Sequence, residues 1–218
     1  HGGRINCVET SRGSPHTFIS GSDDGYLKCW DLRTSCKEPV VKIKCGGEVT
    51  DASLGSKDLI VAVATGKMVN FYDMRCIQDR ETPSSSASIG DYGDVHTETI
   101  NTVKFHPTRD TELLSAGEDG LVCCYDTRVA ASTEAVLSVI NAECDVRTFG
   151  LFGPELEGVY CLSTIETASF WHLYSALRIV NLPSVRDTFQ VDYLVDCVPS
   201  PTLTGSAAPQ ILSGSIDG

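Results

Sequence analysis

The sequence predicts an all-β protein built from one repeated unit, and three observations lead to this prediction. A pattern of two β-prone runs around a turn, first seen at Phe18–Arg33 (FISGSDDGYLKCWDLR), returns later in the chain. Each copy ends on an aromatic residue followed by a polar one. No segment shows the sustained period of about 3.6 residues that is typical of an amphipathic helix.

The pattern at Phe18–Arg33 is that of a β-hairpin. Asp24-Gly25 separates a first apolar run from a second one at Tyr26–Trp30. Asp-Gly between two β-prone runs is a strong hairpin signal, because the turn needs a positive φ that glycine adopts at little cost. We therefore expect two antiparallel strands joined by a tight turn.

The hairpin pattern recurs along the whole chain. Further copies lie at Ile60–Arg75, at Leu113–Arg128, in weaker form at Val159–Leu173, and in part at Ile211–Gly218. The closing pairs are Trp30-Asp31, Tyr72-Asp73, Tyr125-Asp126 and Trp171-His172, so the intervals are 42, 53 and 46 residues. These intervals are near the roughly 40 to 45 residues of WD40 repeats, which the copies resemble, and the resemblance implies four strands in each repeat.

Two more strands are expected to complete each unit. Before the hairpins we expect strands at Ile5–Val8, Val49–Ser53, Ile100–Phe105, Asp145–Leu151 and Tyr193–Val198, and after them at Val40–Lys44, Val136–Ile140 and Leu177–Asn181. In place of the strand after its hairpin, the second repeat has the polar, serine-rich stretch Asp79–Val95. We interpret residues 79–95 as a flexible loop at the outer edge, with a phosphorylated or partner-binding loop as the alternative.

The repeats resemble WD40 repeats, each of which is one four-stranded blade of a β-propeller. SGSDDGYLKCWDLR, IGDYGDVHTETINTVKFHP and VRDTFQVDYLVDC, in this order, further resemble the subfamily of WD repeat-containing protein 89 over residues 18–198. The resemblance implies a soluble, non-enzymatic WD40 β-propeller. We expect about four and a half of seven blades, at residues 1–45, 46–95, 96–141, 142–182 and, incompletely, 183–218. Since seven blades need about 300 residues, we expect a fragment of a longer protein.

The resemblance also assigns a role to four residues that recur at one spacing in two repeats. They are His1, Ser20, Asp24 and Trp30 in the first repeat, and His96, Ser115, Asp119 and Tyr125 in the third. In the family the turn Asp holds the His, which reaches the Ser and then the aromatic residue. A hydrolase would instead need an exposed nucleophile and an oxyanion hole. We therefore interpret both sets as structural tetrads and predict no catalytic residue.

The second and fourth repeats lack this set. The second has Thr65-Gly66 at its turn and no matching histidine, and the fourth has Glu166-Thr167. We expect these two blades to rely on packing alone and to be less stable than the others.

An arginine follows the closing pair by two residues in three repeats, at Arg33, Arg75 and Arg128. Trp30-Asp31-Leu32-Arg33 has the W-D-x-R form that in some WD40 proteins marks substrate receptors docking on the DDB1 adaptor of cullin-4 ubiquitin ligases. We expect such an arginine on the propeller rim, free to bind a partner carboxylate through two hydrogen bonds. The alternative is an arginine that is paired with an aspartate or solvated.

Charge and composition limit the classes of partner. The net charge of −12 and the pI near 4.7 disfavour contact with phosphate backbones and with anionic membranes. None of the ten cysteines stands as C-x-x-C and no two histidines have metal-ligand spacing, so we expect no metal. Without a phosphate-binding glycine loop, we expect neither a cofactor nor a small-molecule substrate. A reducing compartment, the cytoplasm or the nucleus, fits these cysteines.

The sequence thus predicts a non-enzymatic scaffold or adaptor that binds other proteins. Arg4, Asp23, Tyr26 and Glu118 lie at strand starts or hairpin turns and are, with Arg33, the candidate partner-contacting residues. The first alternative is the ligase substrate receptor that docks through Arg33. A scaffold of ribonucleoprotein particles that binds through proteins is another, and an enzyme is the alternative from a different class.

Overall fold

A computed structural model describes residues 1–34, 37–55, 57–76, 88–199 and 209–214. Within these residues the chain forms four four-stranded sheets and one two-stranded sheet, each built from strands consecutive in sequence. The first sheet contains β1 (Ile5–Thr10), β2 (Thr17–Ser22), β3 (Tyr26–Asp31) and β4 (Val41–Lys44). The second contains β5 (Asp51–Leu54), β6 (Ile60–Thr65), β7 (Met68–Asp73) and β8 (Ser88–Tyr92).

The remaining sheets follow the same order. The third contains β9 (Ile100–Phe105), β10 (Glu112–Gly117), β11 (Leu121–Asp126) and β12 (Val136–Asn141). The fourth contains β13 (Val146–Phe152), β14 (Gly158–Ser163), β15 (Ala168–His172) and β16 (Leu177–Leu182), and the fifth contains β17 (Tyr193–Pro199) and β18 (Pro209–Gly214). The described residues also contain two short helices, α1 (Ser132–Ala135) and α2 (Val185–Phe189), and a 3-10 turn at Met74–Cys76.

The all-β fold class and its four-stranded antiparallel repeat are confirmed. In the first sheet, for example, Phe18 pairs with Trp30 and Gly21 with Leu27 around the Asp24-Gly25 turn, where Gly25 has φ of +75°. Every strand predicted before or after a hairpin is present, with ends that differ by at most two residues from the predicted ones. Local turn chemistry and β-prone runs therefore sufficed to place these strands.

One prediction for the second sheet is wrong in part. Residues 88–92, which we expected to belong to a polar loop, form β8 and pair with β7, with Val69 opposite Tyr92 and Phe71 opposite Gly90. The physical reason is that β8 ends its sheet and buries only Tyr92, so its sequence carries almost no apolar alternation. Residues 79–87 of the same predicted loop lie outside the described residues.

The chain divides into two compact units. The first comprises residues 1–115 and 124–136, and the second residues 116–123 and 137–218. The core of the first unit packs the first sheet against the second through Ile19, Leu27, Ile43, Val49, Leu54, Val61, Val63 and Tyr72. In the second unit, the fourth sheet packs against α2 and the fifth sheet through Tyr160, Leu162, Phe170, Val185, Leu194 and Cys197. Each of these four sheets thus buries an apolar face that it cannot bury alone.

Two carboxylates join neighbouring sheets of the first unit. Glu9 of β1 accepts a hydrogen bond from the Leu54 backbone N–H at 2.8 Å. Asp51 of β5 accepts one from the Val103 backbone N–H of β9 at 2.9 Å. Burial raises the pKa of Glu9 and raises the pKa of Asp51 to about 6. The first strands of successive sheets are therefore bridged by acidic side chains.

Asp51 is expected to make stability depend on pH. Its folded-state pKa of about 6 exceeds the ordinary value of 3.8, so between these values the folded chain holds a proton that the unfolded chain releases. The contribution of Asp51 to the free energy of unfolding therefore falls as the pH rises from about 4 to about 6, by up to about 3 kcal/mol. Asp51→Asn should remove this dependence, which urea unfolding at a series of pH values measures. Glu38→Gln, at an exposed position, is the control, and equal slopes for wild type and Asp51→Asn would contradict the assignment.

Candidate functional site

The four predicted tetrad residues of the first repeat are joined by hydrogen bonds. Nδ1 of His1 lies 3.0 Å from the Asp24 carboxylate and Nε2 lies 2.8 Å from the Ser20 hydroxyl. The Trp30 indole N–H donates to the same hydroxyl at 2.8 Å. Because the carboxylate only accepts, Nδ1 carries the proton and Nε2 accepts from Ser20. The chain before β1 is thereby fastened to the β2–β3 hairpin.

Asp24 also organises the backbone around its turn. Its carboxylate accepts from the Gly2 N–H at 2.8 Å and from the Tyr26 N–H at 3.1 Å. Burial works against the charge, but the hydrogen bonds from Gly2 and Tyr26 outweigh it and lower the pKa of Asp24. Asp24 therefore stays ionised at neutral pH and can hold His1 in one orientation.

In the third repeat, the three predicted residues that lie in the first unit are joined by hydrogen bonds. Nε2 of His96 lies 2.7 Å from the Ser115 hydroxyl, which lies 3.1 Å from the Tyr125 hydroxyl. His96 is 5% exposed, Ser115 0% and Tyr125 1%. Asp119 lies in the turn between β10 and β11, where its carboxylate accepts from the Leu121 N–H at 3.1 Å.

Neither serine can serve as a nucleophile in this arrangement. The Ser20 and Ser115 hydroxyls are both buried, and each is engaged by a histidine and an aromatic side chain. A nucleophilic serine must reach a substrate carbonyl from the wall of a cleft. The hydrogen bonds instead satisfy buried polar groups and hold strands together.

The second and fourth repeats do not rely on packing alone, so this expectation is wrong. In the second sheet the Asn70 side-chain amide donates to the Thr65 hydroxyl at 2.7 Å, across the turn between β6 and β7. In the fourth, the Trp171 indole N–H donates to the buried Ser169 hydroxyl at 2.8 Å. Both hairpins thus contain side-chain hydrogen bonds in addition to packing contacts. Whether these sheets are less stable stays a prediction.

The three repeated arginines bind the aspartate two residues before them. Nε of Arg33 donates to Oδ1 of Asp31 at 3.0 Å and Nη2 donates to Oδ2 at 2.8 Å. Arg75 with Asp73 and Arg128 with Asp126 repeat this two-bond geometry. The guanidinium of Arg33 lowers the pKa of Asp31 to about 2.

This pairing corrects the expectation for Arg33. The Arg33 side chain is 65% exposed, but the two N–H groups that would donate to a partner carboxylate already donate to Asp31. A partner must displace Asp31 or approach the remaining Nη1 edge. The alternative from the sequence, an arginine paired with an aspartate, is what the structure contains.

Three of the other candidate contact residues lie at one end of the first sheet. Arg4 is exposed, and its backbone carbonyl accepts from the Asp23 N–H at 3.0 Å. Asp23 is exposed and accepts from the Asn6 side-chain amide at 2.6 Å. Tyr26 is half-buried in β3 beside this turn. Glu118 is exposed in the turn between β10 and β11, which belongs to the other unit.

Sequence reasoning missed a basic face on the first sheet. Lys28 pairs with Lys42 across β3 and β4, and Tyr26 pairs with Lys44. The Lys42 ammonium lies 4.0 Å from the centre of the Tyr26 ring, a cation–π distance. The alternation in YLKCW and VKIK was the available signal, since residues two apart share a face. Tyr26 therefore stands among positive charges in a chain of net charge −12.

Metal and membrane sites receive no support from the residues that the structure describes. No group of three or more His, Cys, Asp and Glu side chains there has an arrangement that would hold a metal ion. No helix in the same residues is long and apolar enough to cross a membrane.

The model of the family described as "WD domain, G-beta repeat" matches residues 1–31 and 92–126. The chain is 30% identical over 191 residues to WD repeat-containing protein 89 homolog of Dictyostelium discoideum, covering 84% of this chain and 49% of that protein. It is 30% identical over 198 residues to WD repeat-containing protein GTS1 of Arabidopsis thaliana, covering 86% and 48%. An uncharacterized WD repeat-containing protein of Saccharomyces cerevisiae is 27% identical over 201 residues, covering 87% and 48%. The chain spans about half the length of these relatives.

Proposed function

Because this chain belongs to the WD40-repeat family, whose members are generally protein-interaction scaffolds, we propose that it is a non-enzymatic scaffold or adaptor that binds other proteins. The observation that supports this most is the end of the first sheet at which Arg4, Asp23 and Tyr26 lie. Exposed charges and a half-buried aromatic ring stand there on a hairpin that the buried His1–Ser20 bond holds in place. Interfaces draw most of their binding energy from such rigidly held aromatic and arginine side chains.

The same surface suggests the kind of contact that the scaffold makes. Lys42 and Lys44 offer positive charge beside Tyr26. The exposed Arg4 and Asp23 add one charge of each sign at the same end of the first sheet. A partner with acidic side chains around an apolar or aromatic residue would complement them. Glu118 stays a separate candidate in the second unit. The cysteines of the sequence include no C-x-x-C pair and fall mostly in apolar runs, which fits a reducing compartment, and we propose that the protein acts in the cytoplasm or nucleus.

Variants at this end of the first sheet are expected to lose bound partner proteins. Arg4→Glu and Tyr26→Ala in the full-length parent should each lower the recovery of at least one bound protein by about tenfold, because a lost interfacial anchor costs over 1 kcal/mol. Affinity purification with quantitative mass spectrometry measures this. Lys37→Glu, at an exposed position in the first unit, and Tyr174→Ala, in the second, are the controls. If all four variants recover the same proteins as the wild type, this surface does not bind partners. The comparison requires that each variant unfolds at the wild-type temperature.

Docking on a cullin-4 ligase adaptor through Arg33 is the alternative function. The W-D-x-R form favours it, and the Asp31–Arg33 pair opposes it because the guanidinium is already engaged. Arg33→Ala should abolish recovery of the adaptor if this alternative is correct. Arg128→Ala is the matched control, since Arg128 forms the same pair with Asp126. If wild type, Arg33→Ala and Arg128→Ala recover the adaptor equally, or if none of them recovers it, this alternative is wrong. The general scaffold function then remains as the proposal.

A further inference from the structure

We propose that an apolar cleft in the first unit, about 370 Å³ in volume, binds a short basic segment of a partner protein, which inserts an apolar side chain into it. This proposal rests on the scaffold function proposed above and adds a second surface to it. The cleft, called the Tyr92 cleft below, lies between β8 of the second sheet and residues 127–130 that follow β11. Its volume is in the range of sites that bury a peptide side chain or a small ligand.

The floor of the Tyr92 cleft is aromatic and already formed. Phe71, Tyr92 and Phe105 line it and are 7%, 5% and 4% exposed. The rings of Phe71 and Tyr92 pack edge to face with centroids 4.9 Å apart. The Tyr92 hydroxyl donates to the Val129 carbonyl at 2.6 Å, so its polar end is satisfied. An incoming apolar side chain would therefore meet fixed aromatic surface and would break no hydrogen bond of this phenol.

The mouth of the Tyr92 cleft carries aliphatic side chains that face solvent. Leu59 is 38% exposed, Ile60 37% and Ile89 55%. Clustered exposed aliphatic residues around a cleft are typical of surfaces that another molecule covers. Ile89 lies in β8, the last strand of the second sheet within the described residues. Among the described residues β8 pairs with β7 alone, so its other side can pair with an extended segment, which favours a peptide over a compact small molecule.

The charges around the cleft select a basic segment. Asp91 and Asp110 are exposed at its rim, Lys57 is the opposing cation there, and Arg128 is neutralised by its pair with Asp126. The rim is therefore acidic by one charge on a chain of net charge −12. Such a field attracts cationic segments and repels both anionic lipids and a second copy of this chain.

Binding is tested with three capped hexapeptides and the full chain. The first, Lys-Gly-Leu-Phe-Gly-Lys, has the expected chemistry, the second replaces both Lys by Glu, and the third replaces Leu-Phe by Ser-Ser. Two-dimensional amide NMR should show shifts at Ile89, Tyr92, Phe105 and Val129 with the first peptide. Its dissociation constant should be at least tenfold lower than those of the other two. Equal affinity for the acidic peptide, or no shift at these amides, would overturn the proposal.

A pair of variants makes the test specific to the Tyr92 cleft. Ile89→Ser removes an apolar side chain from the cleft without adding charge, and it should weaken binding of the first peptide at least tenfold. Leu32→Ser should leave binding unchanged, since Leu32 and Ile89 are both 55% exposed in the first unit but only Ile89 lines the cleft. Concentration-dependent self-association that Ile89→Ser abolishes would assign the cleft to a second copy and overturn the proposal. Partner capture that depends on Arg4 and Tyr26 but not on Ile89 would overturn the cleft and leave the scaffold function standing.

Discussion

Ser115→Ala is expected to lower the free energy of unfolding by about 2 to 4 kcal/mol, because two buried polar groups lose a hydrogen-bond partner at once. Nε2 of His96 and the Tyr125 hydroxyl both bond to the Ser115 hydroxyl, and all three side chains are buried. Alanine fills nearly the same space, so the loss reports on hydrogen bonding more than on packing. Chemical denaturation of the purified chain, followed by circular dichroism, measures it.

Ser138→Ala is the matched control in the same sheet. The Ser138 hydroxyl is buried and has no hydrogen-bond partner among the residues that the structure describes, so its removal should be neutral or stabilise the fold by up to about 1 kcal/mol. Equal destabilisation by the two substitutions would show that the His96–Ser115–Tyr125 contacts contribute little.

Gly120→Ala is expected to cost about 3 kcal/mol, the second large effect. Gly120 has φ of +76°, a conformation that alanine adopts only with strain. An added Cβ would also lie 2.9 Å from the Cys144 backbone carbonyl oxygen, so the backbone would have to move. Thermal and denaturant unfolding of the variant measure the sum of both effects.

Gly66→Ala separates the two causes. Gly66 has φ of +56°, but a Cβ there would meet no heavy atom within 4 Å. We expect a cost of about 1 kcal/mol from the backbone conformation alone. If Gly66→Ala and Gly120→Ala destabilise the chain equally, the contact with Cys144 is not a source of strain.

The hairpins were predictable because their signals are local. Asp24-Gly25 and the runs beside it contain the turn, the strands and their register within sixteen residues. β8 was not predictable, since Ser88–Tyr92 gains its strand conformation from pairing with β7 and buries a single side chain. Tertiary pairing decides such a strand, and intrinsic preference does not.

The candidate sites divide in the same way. The tetrad sets His1–Trp30 and His96–Tyr125 recur at one spacing, and the resemblance to WD40 repeats supplied their structural role. The Tyr92 cleft is lined by four segments that are distant in sequence, around Leu59, Phe71, Phe105 and Val129. The sequence of any one segment does not show that the other three lie next to it. The Asp31–Arg33 pair was left open, because its geometry depends on how the chain turns after β3.

The carboxylate bridges between sheets have a consequence for how freely this chain can diverge. Glu9 and Asp51 bind backbone N–H groups, so the residues that donate to them, Leu54 and Val103, need no particular side chain for this contact. Only proline, which has no N–H, is excluded on this ground. These two contacts therefore place no demand on the side chain at either donor position, and repeats that differ there can still be joined by the same carboxylates.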